Sequence, residues 1–448
     1  MIRSLIIGSK EFKLISEEHT HTDGNIFTVI IGKNGTGKSR LLKSIVDFIM
    51  EYESNSAITT MEFVGQNIDN ASNVIALSTN PFDKFPWYAS YNESGSYHYL
   101  GLKDISRINT SKGYISKIIG SYLKGHLYNE ESGLGETLNY LGFENYVRMS
   151  FNYIGGSVIR RMLNGEKNFN WRELNHYLEA RIKKQEYQID DYFTKREAMG
   201  EDRKDIVMRI YKALKLVPEI HGIRKLKIEI KNEELSISHK SIEFSEALTI
   251  LISVGLLKFD SAVLKKIESN TMFSIEDASS GEQCVIISML GISSVIEDNS
   301  LIMIDEPEVC LHPEWQEKYI QLLTSIFRSY KGCQFIIATH SPQIVSNLSE
   351  KGCYIMAMED GVAKNAIDYI NKSSDFQLAT LFGTPGFKNE YLSRIAVNLF
   401  SNLSDSKTFT PDDIRIYDEL VSILPKISED DPLRSLIKAI EKMRELYA

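Results

Sequence analysis

Short apolar runs that alternate with helix-like segments organise two parts of this chain. Residues 26–31 (IFTVII) form an apolar, β-branched run, and from Ser39 the pattern becomes LLKSIVDFIM, with apolar residues at helical spacing. The same order returns with LIMID at 301–305, an amphipathic helix from Pro313 and QFIIAT at 334–339. Strands that alternate with helices predict an α/β fold with a mainly parallel core sheet flanked by helices.

The segments between and after these runs show other patterns. Between residues 79 and 270 the chain favours mixed helices, although alternating residues near 224–239 indicate a hairpin. The last segment is helical, and Thr410 and Pro411 begin one of its helices as a cap and a first-turn proline. The expected units are residues 1–78 and 271–370 as two lobes of one head, 79–270 as a largely helical insertion, and 371–448 as a helical C-terminal extension.

The composition is that of an ordinary globular protein and argues against several classes. The 448 residues are 43% hydrophobic and 25% charged. No stretch approaches the ~18 uncharged apolar residues that span a bilayer, so we expect no membrane contact. The net charge of −9 means that any contact with nucleic acid must come from a local patch. The four cysteines lack CxxC or zinc-like spacing, which favours reduced thiols in the cytoplasm.

The strongest local motif is the glycine-rich segment GKNGTGKS, which follows the first apolar run. It matches GxxxxGK[ST], in which backbone N–H groups close around phosphate oxygens at the start of a helix. Lys38 would hold the β- and γ-phosphates of ATP, and Ser39 would ligate Mg²⁺. The expected nucleotide-binding residues of this segment are Gly32, Asn34, Gly35, Thr36, Gly37, Lys38 and Ser39.

Two acidic residues end the apolar run LIMID. Asp305 and Glu306 fall at the carboxyl end of a predicted strand, which is where α/β sheets place their ligands. Asp305 can hold Mg²⁺ through water, and Glu306 can orient and polarise an attacking water. The pair is therefore a candidate for the metal-binding and catalytic carboxylates of a nucleotide hydrolase.

Four motifs in this order resemble those of ABC-class ATPases. SSGEQ at 279–283 resembles the signature LSGGQ, with Ser279 in place of leucine and Glu282 in place of the second glycine. ATHSP at 338–342 places His340 where this class carries a switch histidine near the γ-phosphate. The segments DEPEVCLHPEWQ and ATHSP together resemble the RecF, SMC and OLD branch rather than transporter subunits.

This resemblance implies an ABC-type ATPase head that dimerises around ATP. The signature of one copy contacts ATP held by the other in this class, so Ser280, Gly281 and Gln283 would complete the site of a second copy. Glu306 and His340 would act in hydrolysis. The implied assembly is a homodimer or a higher multiple that closes with ATP and Mg²⁺ and opens after hydrolysis.

One expected element has no clear counterpart. ABC heads usually carry a glutamine after the next core strand, where it ligates the metal and senses ATP. After the run NVIALS at 73–78 this chain offers Ser78, Thr79 and Asn80, whereas Gln66 lies before that run. Ser78 is the candidate third metal ligand.

Two functional interpretations remain open. The LHPEWQ motif, compact insertion and short tail resemble the PtuA ATPases of Septu phage-defence systems, with the AriA ATPases of PARIS systems close to them. This implies control of a separate nuclease subunit, HNH-type, with DNA contacted indirectly. The alternative is a RecF-like or SMC-like repair ATPase that binds DNA directly. Its candidate contacts are Arg181, Lys183, Lys184, Arg224, Lys225 and Lys227, with Trp87, Tyr88, Tyr91, Tyr97 and Tyr99 as candidates for base stacking.

A third interpretation, an OLD-type nuclease, fits the sequence least well. That family adds a Toprim domain, and the tail after Asn371 is too short for one. We therefore expect no nuclease activity from this chain itself.

Overall fold

The structure is a computed structural model that covers most of the chain. It describes residues 1–16, 24–50, 58–63, 73–80, 82–86, 97–101, 134–154, 159, 171–183, 187–198, 200–217, 225–231, 234–236, 242–346, 348, 352–369 and 372–447. The strands of this part are β1 (Ile2–Ile7), β2 (Lys10–Lys13), β3 (Ile26–Ile31), β4 (Ile58–Phe63), β5 (Val74–Ser78), β6 (Tyr97–Leu100), β7 (Phe143–Tyr153), β8 (Lys225–Lys231), β9 (Glu234–Ser236), β10 (Leu257–Lys266), β11 (Met272–Ser274), β12 (Leu301–Asp305), β13 (Gln334–Thr339), β14 (Cys353–Ala357) and β15 (Ala363–Asn365).

Helices connect these strands and form the C-terminal part of the chain. They are α1 (Lys38–Ile49), α2 (Leu134–Tyr140), α3 (Trp171–Ile182), α4 (Tyr187–Ala198), α5 (Arg203–Leu216), α6 (Ile242–Ser253), α7 (Ser280–Ser293), α8 (Pro313–Ile326), α9 (Pro342–Ser346), α10 (Ser374–Thr380), α11 (Glu390–Ser406), α12 (Pro411–Ile423) and α13 (Pro432–Tyr447). No helix in the described ranges is long and apolar enough to cross a membrane.

The core of the head is a seven-stranded sheet in the order β15-β14-β3-β13-β12-β5-β6. Its pairs are parallel except for the antiparallel pair of β14 and β15. Every residue of β3, β5, β12 and β13 is buried, as expected for parallel strands covered on both faces. The predicted α/β class with a mainly parallel core sheet is therefore confirmed.

The strand register brings the candidate residues to one edge of this sheet. Asp305 pairs with Ala338 of β13 on one side and with Ser78 of β5 on the other. Thr339 at the end of β13 pairs with Ile31 at the end of β3. Four neighbouring strands therefore end together, and the segments that follow them share one rim of the head.

The segment expected to be a largely helical insertion also contains strands. β7 and β10 pair along most of their length, and together with β8, β9 and β11 they form a five-stranded antiparallel sheet in the order β11-β10-β7-β8-β9. Along β7 the buried residues Val147, Met149 and Phe151 alternate with Arg148, which is partly exposed. Aromatic residues on both faces weaken this period-two signal in the sequence. The hairpin indicated near 224–239 corresponds to β8 and β9, which pair antiparallel.

Three hydrophobic clusters hold the described part of the chain together. The largest continues from Ile304 and Ile337 of the core sheet through Val285 of α7 to Met149 and Phe151 of β7, so that head and insertion share one core. A second cluster packs α1 against the opposite face of the sheet. A third lies among α10, α11, α12 and α13 and belongs to the tail alone. The division into four units otherwise stays a prediction.

Candidate functional site

The loop between β3 and α1 has the shape of a phosphate cradle. Gly35 and Gly37 have φ values of 83° and 100°, a left-handed conformation that side-chain-bearing residues adopt at a cost. A Cβ atom on Gly32 would lie 2.8 Å from Oγ1 of Thr36, whose hydroxyl donates to the carbonyl of Lys33 at 2.8 Å. The glycines therefore permit a tight turn that exposes backbone N–H groups at the start of α1.

Lys38 lies buried beneath this loop. Its Nζ atom donates to the carbonyl oxygens of Gly32 at 2.7 Å and Lys33 at 3.3 Å. Burial lowers the pKa of Lys38, and the nearby carboxylates, led by Glu306 and then Glu308, oppose that shift. The ammonium group is thus held by loop carbonyls that a phosphate oxygen can replace as its partner.

Ser39 and Asp305 place two oxygen groups side by side, and oxygen atoms are the ligands that Mg²⁺ prefers. The Ser39 hydroxyl donates to Oδ1 of Asp305 at 3.0 Å, and Asp305 is 1% exposed. Burial raises the pKa of Asp305 to about 7, against the opposing effect of the Ser39 hydrogen bond. The described residues contain no cluster of three or more side chains of metal-binding type. A magnesium ion here would therefore take most of its ligands from phosphate oxygens and water, as is usual for this ion.

Glu306 adopts a strained backbone conformation directly after β12. Its φ of 47° and ψ of 57° are left-handed, which is unusual for a residue with a long side chain. Its N–H donates to the carbonyl of Ala338 at 2.9 Å, and its Oε2 accepts a hydrogen bond from Nδ2 of Asn80 at 3.2 Å. The side chain is 20% exposed. The carboxylate is thus fixed at the rim and can reach a water molecule.

His340 is held by a second carboxylate, that of Glu308. One oxygen of Glu308 accepts from the backbone N–H of His340 at 2.6 Å and from the Thr339 hydroxyl at 2.7 Å, and it lies 3.0 Å from Nδ1 of His340. The hydrogen bond to Glu308 raises the pKa of His340 above its usual value. Burial alone would raise the pKa of Glu308, but hydrogen bonds from His340 and Thr339 hold it below the usual range.

The signature-like segment begins α7 with a reciprocal cap. The backbone N–H of Ser279 donates to the Glu282 carboxylate at 2.9 Å, and the backbone N–H of Glu282 donates to the Ser279 hydroxyl at 3.3 Å. These two residues are the two departures from LSGGQ, so a capping box accounts for both of them together. Gln283 donates to the carbonyl of Ala278 at 3.1 Å. Ser280 is exposed at the start of the helix.

Gly281 joins this helix to the segment after β12. A Cβ atom on Gly281 would lie 3.3 Å from the backbone nitrogen of His312 and 3.5 Å from the carbonyl oxygen of Cys310. The glycine therefore allows α7 to approach the backbone that follows the Asp305 and Glu306 pair.

The environment of Ser78 leaves its metal-binding role a prediction. Ser78 is 1% exposed, its hydroxyl lies 3.4 Å from the carbonyl of Asp305, and it accepts from the N–H of Asn80 at 3.1 Å. Asn80, rather than Ser78, contacts Glu306. Gln66 lies outside the described residues.

Most of the proposed DNA contacts are unsuitable or outside the described residues. Tyr97 and Tyr99 are each 2% exposed within β6, so neither ring can stack on a base. Arg181 is 6% exposed and donates to the carbonyl of Ile154 at 3.1 Å. Lys225 forms an ion pair with Asp260. Lys183 and Lys227 are exposed, and Lys184, Arg224, Trp87, Tyr88 and Tyr91 lie outside the residues whose side chains the structure describes.

The rim therefore collects the predicted residues of three motifs and adds two others. Lys38, Ser39, Asp305, Glu306 and His340 meet there, whereas the signature-like residues lie at the start of α7. Glu308 and Asn80 were not predicted as site residues. Glu308 stands in the DEPE motif, so its spacing from Asp305 was a signal, but its hydrogen bonds depend on the register of β12 and β13. Asn80 follows a buried strand and gave no stronger signal than its neighbours.

Comparison with known proteins gives a family match and several relatives. The family model described as an AAA ATPase domain matches residues 47–345, which is more than half of the chain. The Retron Ec83 probable ATPase of Escherichia coli is 22% identical over 461 aligned positions, covering 90% of this chain and 83% of the relative. Protein ea59 of Escherichia phage lambda is 33% identical over 89 residues, covering 20% of this chain and 17% of that protein.

Among solved structures, the chain matches the Smc head domain, with an extended coiled coil, bound to the C-terminal domain of ScpA, from Pyrococcus furiosus. It is 13% identical, and the match covers 81% of this chain and 95% of that one with a TM-score of 0.28. The family match, together with the rim geometry and the mainly parallel sheet, identifies the chain as an ATPase. The chain belongs to the AAA ATPase domain family.

Proposed function

We propose that this chain is a cytoplasmic ATPase subunit of an anti-phage defence system, which dimerises around ATP and controls a separate nuclease. A single combined observation carries the proposal. The candidate hydrolytic residues meet at one rim of the head, and a relative matches nearly the whole chain. That relative is the Retron Ec83 probable ATPase, and the match covers 90% of this chain. The PtuA ATPases of Septu systems are the proposed functional counterparts.

The rim residues divide the work of hydrolysis among them. Lys38 binds the β- and γ-phosphates, and the glycine-rich loop surrounds them with N–H groups. When bound, Mg²⁺ would neutralise charge on the phosphates, and Ser39 and Asp305 would hold it. Glu306, fixed by Asn80, orients a water molecule in line with the γ-phosphate and accepts its proton.

The exposure of the signature-like segment supports the proposed dimer. Ser280 is exposed, whereas Lys38 is buried under its own loop. A hydroxyl group and free N–H groups at the start of α7 form a suitable phosphate site. The proposed homodimer would place this helix start against the γ-phosphate that the other copy binds.

The tail is the proposed attachment site for the nuclease, HNH-type. Helices α10 to α13 build a core of their own, so they can present a surface without altering the head.

The runner-up function, direct DNA binding by a repair-type ATPase, receives no support from the described aromatic candidates because Tyr97 and Tyr99 are buried.

The direct test is a pull-down from the native locus with a tagged Glu306→Gln chain. Loss of the general base slows hydrolysis by roughly 10²- to 10⁴-fold, so this variant should accumulate the ATP-bound state. With ATP present, we expect a stoichiometric nuclease subunit in the eluate by mass spectrometry. Tagged Lys38→Ala, which cannot hold the phosphates, is the matched control for dependence on ATP. Recovery of recombination proteins and DNA in place of a nuclease would contradict the defence role.

A further inference from the structure

Glu308 is a buried carboxylate to which the proposed hydrolysis assigns no task. Its side chain is 4% exposed, and it lies in the 3-10 turn that follows Glu306. Burying a charged carboxylate is costly unless several donors compensate it. Here three donors from two consecutive residues, Thr339 and His340, converge on its Oε1 atom. Such convergence fixes the end of β13 relative to the end of β12.

The contact with Glu308 decides which nitrogen of His340 faces outward. With Nδ1 donating to an ionised carboxylate, a neutral His340 must be the Nδ1–H tautomer. Nε2 has no hydrogen-bond partner among the described residues, and the side chain is 43% exposed. Nε2 is therefore the ring atom available to a ligand at the rim, and it carries a proton only when the ring is cationic.

The charged groups around His340 favour the cationic ring. Glu308 contributes most, Glu306 lies 4.0 Å from Nδ1 and acts in the same direction, and Lys38 opposes both. These are the ionisable groups that act on the ring from the start of α1 and from the segment that follows β12. The balance shifts the ring toward the form that carries a hydrogen-bond donor on Nε2, at the rim where negative charge develops on the transferred phosphoryl group.

We propose that Glu308 is a positioning residue for ATP hydrolysis, which orients His340 so that its Nε2–H donates to an oxygen of the γ-phosphate. This inference rests on the proposed use of ATP at the rim. Glu308 does not touch the substrate. It acts by fixing the ring through Nδ1 and by favouring the charged form of the ring.

The test is Glu308→Gln, which preserves the length of the side chain and an acceptor oxygen but removes the charge. The pKa of His340 should fall, so the alkaline limb of the kcat profile should move to lower pH. At pH 8 we expect kcat to fall at least about ten-fold, with the KM for ATP within about two-fold of the original value. Glu308→Asp, which keeps the charge, should return the limb toward its original position. The control is Glu229→Gln, which removes a carboxylate of β8 that pairs with Arg148 of β7.

A second readout does not depend on turnover. NMR titration of the His340 ring in ¹³C-histidine-labelled full-length protein, assigned by His340→Gln, reports its pKa without ATP. A lower pKa in Glu308→Gln than in the original chain supports the inference. An unchanged titration and an unchanged pH limb would overturn it, even if the variant is less stable by circular dichroism. Absence of ATP hydrolysis by the original chain would instead count against the proposed function, and the titration would still decide the role of Glu308.

Discussion

The buried carboxyl group of Asp305 destabilises the metal-free protein when it is ionised, and a bound Mg²⁺ would relieve that destabilisation. Its carboxyl group is almost completely buried, and burial is the main reason that its pKa is raised to about 7. For an acid with a raised folded-state pKa, the penalty is absent at low pH, where both states are protonated. The penalty grows as the pH rises from the unfolded value toward 7 and is complete above it.

Asp305→Asn should therefore stabilise the nucleotide-free and metal-free protein at pH 8. We expect the free energy of unfolding to rise by roughly 1 to 4 kcal/mol there and to change little at pH 4. Thermal unfolding at the two pH values measures this, and Asp360→Asn, an exposed acid paired with Lys364, is the control. A lower Tm for Asp305→Asn at pH 8 would mean that the Ser39 hydrogen bond outweighs the cost of burial.

At the scale of elements, the cap that begins α7 explains why the signature-like segment departs from LSGGQ. Glu282 replaces a glycine of LSGGQ, and it accepts from the backbone N–H of Ser279, the other departure. A capping box satisfies two backbone donors at a helix start that also has to remain open to a phosphate.

Breaking this box should affect both folding and ATP use. Glu282→Ala should lower the stability by about 1 kcal/mol and raise the KM for ATP, whereas Glu282→Gln should retain both properties. Thermal unfolding and steady-state ATPase kinetics measure the two effects. The matched control is Asp413→Ala, which breaks the capping box with Thr410 in the tail helix α12. An equal rise in KM for both alanine variants would show that α7 has no special part in the site.

The same elements show how far the sequence predicts this molecule. Motifs that lie within one strand–loop–helix unit, such as the glycine-rich segment, were visible because all their residues are adjacent. The cap at Thr410 and the first-turn proline Pro411 were likewise predicted from local chemistry and are present, and the structure adds a capping box with Asp413. The Glu308 contact and the Asn80 contact were not predictable, because both join the ends of different strands. The five-stranded sheet was partly missed because its strands are distant in sequence and pair only after folding.

At the scale of the whole molecule, the chain combines one mixed core with a separately packed tail. The largest cluster runs from the core sheet into the insertion, so the rim and the five-stranded sheet share one continuous packed core. The tail keeps its own core. We propose that this head changes state with ATP while it carries a partner, and that two copies build each ATP site together.

Mixing two inactive variants tests that claim most directly. Lys38→Ala removes the phosphate lysine, and Ser280→Arg blocks the signature-like helix start, so each variant alone should hydrolyse almost no ATP. If the sites are shared, a mixed dimer has one site with both residues intact, and an equimolar mixture that exchanges subunits should regain about a quarter of the original activity. Activity that stays at the level of the separate variants, although mass spectrometry shows mixed dimers, would contradict the shared site.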